Sequence, residues 1–143
     1  MALEKIFGIA GSALSAQSLR LNATASNLAN ADTVAGAPEQ AYKARHPVFA
    51  TIVSQAMQGA GRSGAGPSAG VAVLGVVEDQ APPRAEYRPG HPLADENGNV
   101  YVSNVNLMEE MADLISASRS YQTNVEVMNT SKQLLLKTLE LGK

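Results

Sequence analysis

The sequence predicts a mainly α protein: long N- and C-terminal helices pairing as an antiparallel coiled coil, with an irregular insert containing a β-hairpin between them. Two observations carry this. Apolar residues recur in steps of three and four at both ends of the chain, and all seven prolines fall between Pro38 and Pro92. A proline inside a helix costs about 3 kcal/mol, so the proline-free ends suit helices and the middle does not.

The first segment comprises residues 1–31. Leu3, Phe7, Ala10, Leu14, Gln17, Leu21, Thr24 and Leu28 step by four and three, a coiled-coil-like seam on a helix about 40 Å long. A second line, Ile6, Ala10, Ala13 and Ala16, carries small side chains and permits close approach of another helix. The last segment comprises residues 106–143. Asn106 followed by Glu109 predicts an N-cap with an acidic residue at N3, and Gly142 closes a helix about 50 Å long. Its seam runs through Met111, Leu114, Ser118, Tyr121, Val125, Met128, Lys132, Leu135 and Leu139.

Residues 32–105 form the insert. Short β-prone runs occur at 48–53, 71–77 and 100–102, and Asn97-Gly98 is a hairpin-type turn signal. The stretch "QGAGRSGAGPSAG", residues 58–70, offers nothing to bury and predicts a flexible loop. Long amphipathic helices owe most of their stability to packing, so both terminal helices are expected to be marginal in the isolated chain.

Composition narrows the function. The 143 residues suffice for one domain. A formal net charge of -2 gives no electrostatic case for nucleic acid or an anionic membrane. With no cysteine, disulfides, thiolate catalysis and zinc–thiolate sites are excluded. No run of 18 apolar residues predicts a transmembrane helix. "IFGIAGSAL" resembles a short signal-peptide core, but Glu4 offsets Lys5, so the positive leading region is missing and no cleaved signal peptide is expected.

No motif supports a catalytic, cofactor or metal site. Gly59, Gly61 and Gly64 match G-x-G-x-x-G, yet Ala65-Gly66-Pro67 follows, which starts no helix to receive a pyrophosphate. Asp95, Asn97 and Asn99 imitate the first ligands of a calcium loop, but Val100 stands where glycine is needed and Asn106 where glutamate is. His46 and His91 each adjoin a proline and have no metal-ligand spacing. Glu109-Glu110 lies at a helix start, where interaction with the helix dipole explains it.

"LNATASNLANADT" near one end and "VNLMEEMADLISASRSYQTNVEVMNTSKQLLLKTLELG" at the other closely resemble the paired terminal motifs of the bacterial flagellar axial proteins, which include rod subunits, the hook protein and the hook–filament junction protein. The resemblance covers about half the chain. "IFGIAGSALSAQSLRLN" and "YRPGHPLADENGNVYVSNVNLMEEM" are similar to the proximal rod members. The family pattern T-x-G-[FY]-[KR] is interrupted by residues 37–41 between Gly36 and Tyr42-Lys43, an insertion that proximal rod proteins carry. Asn99-Val100 departs from the Gly-Tyr-Val common in relatives.

The resemblance implies a structural rod subunit whose terminal helices pack in a tube and whose insert decorates the outside. It implies partners in further copies of itself and in other rod subunits of the FlgB, FlgF and FliE type. It also implies export by the flagellar type III apparatus and assembly in the periplasm, with no nucleic acid, small-molecule substrate or direct membrane insertion. Alternatives are another axial subunit, a self-assembling helical hairpin outside flagella, or a wall hydrolase, which would need a carboxylate or metal constellation.

The expected subunit-packing residues are Leu14, Leu21, Asn22, Asn27, Leu28, Asn30, Met111, Leu114, Tyr121, Asn124, Val125, Met128, Leu135 and Leu139. Asn27 and Asn30 have two readings. Asn30 could cap the helix end while Asn27 is solvated. Or both amides are buried at a seam, where each needs a partner and so fixes register. On the resemblance, Asn22, Asn124 and Asn129 would serve likewise.

Overall fold

The computed structural model of the chain describes residues 2–54 and 68–142. The order is α1 (Ala2–Ala29), β1 (Val34–Ala35), a short 3-10 turn (Pro38–Gln40), β2 (Arg45–Ser54), β3 (Ser68–Glu78), β4 (Arg84–Tyr87), β5 (Asn99–Val102) and α2 (Leu107–Leu141). The G-x-G-x-x-G motif and residues 58–67 of the glycine-rich segment lie outside the described residues, and β3 begins at Ser68.

The mainly α expectation is corrected. Beside the two helices stand two antiparallel sheets, a mixed α/β fold rather than a helix-pair coiled coil. Two things separate it from the expectation. The insert satisfies its backbone by pairing strands with one another. And the helix positions most deeply buried are Ala10, Ala16, Thr24, Asn27, Glu110, Ala117 and Ser131, small or polar side chains that form no leucine seam.

Contacts divide the chain into two compact units. One comprises Met1–Leu19, Val48–Gly75 and Ala117–Lys143, the other Arg20–Pro47 and Val76–Ser116. Within the second unit the sheet order is β1-β5-β4, with Val34 opposite Val102 and Arg84 opposite Val102 on the other side. Central β5 buries Val100 and Val102, and its pairing runs on through Ser103 N–H to the Thr33 carbonyl at 3.3 Å. Ala31, Ala44 and Val105 form an apolar cluster with Tyr42 packed against them. The other sheet contains β2 and β3 alone.

The loop from β4 to β5 is built on Asp95. Its Oδ1 accepts from the N–H groups of Asn97 at 2.9 Å and Asn99 at 2.8 Å, and its Oδ2 from the Tyr101 hydroxyl at 3.2 Å. The Asn99 N–H, with the bonds from Asn97 and Tyr101, holds the Asp95 carboxyl below the usual carboxylate range. The same bond to Asp95 pushes the Tyr101 phenol up. The calcium-like pattern is thus a self-contained turn. Gly98 completes it at φ +78°, where a Cβ would stand 2.9 Å from the Tyr87 ring.

Helix α2 starts as its cap predicts, with Asn106 Oδ1 accepting from the Met108 N–H at 3.2 Å. No helix among the described residues is long and apolar enough to cross a membrane.

Candidate assembly surface

Asn27, in the last turns of α1, is fully buried. Its amide makes four hydrogen bonds, all inside the second unit. Nδ2 donates to the Arg45 carbonyl at 2.9 Å and to Glu110 Oε1 at 3.1 Å. Oδ1 accepts from the Arg45 N–H at 2.9 Å and the Tyr42 hydroxyl at 3.0 Å. One side chain thereby ties the end of α1 to the start of β2 and the first turn of α2. An amide has two donors and two acceptor positions, so no capacity is left over. Asn30 is simpler. Its Nδ2 bonds back to the Ser26 carbonyl at 2.8 Å, a local link at the helix end.

Around this node, Arg20 of α1 pairs with Asp113 of α2 at 2.7 Å. Asn104 receives the Ala44 N–H at 2.8 Å and donates to the Ala81 carbonyl at 2.9 Å. Glu110 is buried with its Oε2 unpartnered, and His46 Nε2 stands 4.0 Å from its Oε1. A polar cleft of about 410 Å³ is lined by Asn30, Thr33, Glu39, Tyr42, Lys43 and Glu78, among others, and the Arg45–Glu78 ion pair at 3.2 Å stands in its wall.

The other expected packing residues fall into two groups. Leu14, Leu21, Leu28, Leu114, Asn124, Val125 and Met128 are half-buried. Asn22, Met111, Tyr121, Leu135 and Leu139 are exposed, Leu139 at 62%. Asn124 donates to the Ser120 carbonyl at 2.9 Å on its own helix. On α2 the deepest line is Glu110, Ala117 and Ser131, with half-buried Asn124 completing the seven-residue spacing. It lies one residue to the side of the line through Met111, Ser118, Val125 and Lys132. Sequence reasoning missed this line because periodicity finds leucines, whereas its residues are small or polar. Every position from Lys132 to Leu141 is exposed, including Leu134, Leu135, Leu136 and Leu139.

A helix end with exposed leucines on several sides, left largely uncovered among the described residues, fits an assembling subunit rather than a self-contained domain. Comparison with known proteins agrees. The family described as "Flagella basal body rod protein" matches residues 7–37, and "Flagellar basal body rod FlgEFG protein C-terminal" matches residues 96–141. The chain is similar to the flagellar basal-body rod protein FlgC of Salmonella typhimurium (strain LT2), with 52% identity over 143 residues and the whole of both chains covered. FlgC of Yersinia enterocolitica is likewise 52% identical over both full lengths. FlgC of Buchnera aphidicola subsp. Baizongia pistaciae is 38% identical, again with both chains covered in full. The chain belongs to the FlgC family of flagellar basal-body rod proteins.

Proposed function

We propose that this structural subunit of the flagellar basal-body rod polymerises through its terminal helices into the proximal part of the drive shaft and carries torque across the periplasm. The observation that carries the reading is the uncovered leucine surface of α2, centred on Leu134, Leu135, Leu136 and Leu139, in a chain whose relatives over their full length are rod proteins. Apolar surface left open in one copy is closed by its neighbours, and the gain recurs at every subunit. Torque transmission asks for packed helices and no reacting group, so the chain is read as a non-enzyme with no cofactor.

Neighbours in this reading are further copies and rod subunits of the FlgB, FlgF and FliE type, delivered to the periplasm by the flagellar type III apparatus without a cleaved signal. The packing contacts are assigned to Leu14, Leu21, Leu28, Leu114, Tyr121, Val125, Met128, Leu135 and Leu139. Mass spectrometry of purified basal bodies tests the assignment. The chain is expected in the rod fraction with its N-terminal residues intact, and its absence from basal bodies of motile cells would overturn the reading.

A further inference from the structure

We infer that the β2–β3 ribbon is a second assembly surface, which docks on the charge-free start of α1 in another copy of this chain. The inference rests on the rod-subunit reading above.

Within the first unit, the ribbon comprises residues 48–54 and 68–75, none of them charged. A two-stranded sheet packed against a core would bury one face and expose the other. This one exposes apolar side chains on both faces. Val73 and Leu74 are adjacent in β3, so they point to opposite sides, yet they are 39% and 70% exposed. Val48 and Ile52, which share one face of β2, are also exposed. An uncharged apolar ribbon with open strand edges is a hazard in solution unless something covers it.

The occupant follows from charge. A surface with no charged group best matches another with none, since burying an unpaired charge against it is costly. The longest charge-free helical stretch in the chain is Ile6–Leu19 of α1. Ile6 and Ile9 lie about one turn apart on it, both exposed. The two elements already meet within one copy: the Val71 N–H donates to Ser12 Oγ at 3.2 Å, and Gly70 brings the β3 backbone against that same side chain. Among the described residues the ribbon is open on both faces, which leaves room for a second such contact. Because ribbon and helix are different patches, the contact between copies is heterologous and extends from copy to copy as a filament does.

The four exposed ribbon side chains offer on the order of 300 Å² of apolar surface, against about 800 Å² per partner in a stable free-standing complex. The contact therefore acts only alongside the helical packing, and dilute subunit stays monomeric.

The chain contains no cysteine, so introduced thiols report cleanly. Two differently tagged copies, one Leu74→Cys and one Ile9→Cys, are co-expressed in motile cells and oxidised in isolated basal bodies. A disulfide between the two tags is expected. No such adduct, or a Leu74→Cys adduct formed only with a different rod protein, would overturn the inference. Separately, Leu74→Asp, at a position too exposed to disturb the monomer's circular dichroism, is expected to lower incorporation about tenfold or more, and normal incorporation would overturn the inference. Failure of the rod reading itself looks different, because the unsubstituted chain would then be missing from basal bodies.

Discussion

The junction around Asn27 and the last three turns of α2 invert the usual disposition of side chains. At the junction an asparagine and a glutamate are buried, while Lys132 to Leu141 leave five leucines exposed. The contrast shows where each kind of interaction is spent. Inside the chain, directional hydrogen bonds hold the end of α1, the start of β2 and the first turn of α2 in a single geometry. In the proposed assembly the undirected apolar surface is left for neighbours. Buried polar contacts fix register because few alternatives satisfy them, and apolar contacts supply association that recurs at every copy.

Leu135→Asp breaks the apolar side of this contrast and has the largest expected effect. In the monomer Leu135 is 39% exposed, so a carboxylate there is solvated and thermal unfolding should hardly change. In a rod it would be buried unpaired, costing several kcal/mol at each copy. Exported protein with no rods in basal-body preparations is the expected result. Motile cells carrying the substitution would remove the distal α2 face from the assembly surface.

Asn27→Ala breaks the polar side. It takes the side-chain partner from the Arg45 N–H and carbonyl and from Glu110 Oε1, and leaves the Tyr42 hydroxyl with Ser26 Oγ alone, at 3.3 Å. Unfolding of the purified subunit should show a loss of about 2–4 kcal/mol. Asn27→Asp should cost more at neutral pH, because it sets a second carboxylate against Glu110 and removes both amide donors. If either variant unfolds like the parent, the junction does not hold the second unit together.

Gly98→Ala tests the Asp95 turn. The residue would be forced to φ +78° with its Cβ 2.9 Å from the Tyr87 ring, for a loss of about 1–3 kcal/mol. The same turn gives a pH signature. Asp95 has its folded pKa depressed, so its contribution is present above the ordinary value near 3.8 and is lost as the pH falls through the lower folded value. Carboxyl NMR titration of Asp95 should give a midpoint below 3.8, with amide protection of Asn97 and Asn99 surviving to that lower pH. The smallest effect is expected from Gly8→Ala. Nothing lies within 4 Å of its Cβ position, so a helical alanine should stabilise the monomer by about 0.5–1 kcal/mol.

The element positions are largely legible in the sequence, and the misses have separate physical causes. The limits of α2, its Asn106 cap, and β2, β3 and β5 follow from periodicity, capping chemistry and β-branched runs. β1 has two residues, too few for any pattern. β4, Arg84-Ala-Glu-Tyr, carries two charges and follows Pro82-Pro83, so it becomes a strand only because β5 lies beside it. The coiled-coil expectation failed because the strands of the insert pair into two sheets and because α2 buries Glu110, Ala117 and Ser131 rather than the line through Met111 and Leu139, whereas buried Ala10, Ala16 and Thr24 do lie on the lines expected of α1. Asn27 was visible as an amide at the end of an apolar pattern. That its partners are a backbone 18 residues on and a glutamate 83 residues on was not.

Two of the four Asn27 bonds go to a single residue, the N–H and the carbonyl of Arg45, and neither touches that residue's side chain. The carboxamide pairs with both backbone groups of one residue as a neighbouring strand would, without regard to what stands at position 45. The guanidinium there makes only an exposed ion pair with Glu78 and lies over the Tyr42 ring, 5.7 Å from its centre. Most residues other than proline could therefore replace the cation without disturbing the clamp. The uncharged residue at position 27 has no substitute, since aspartate lacks the donors and glutamine is one methylene too long. In a library of variants, tolerance at these two positions should run opposite to what their charges suggest.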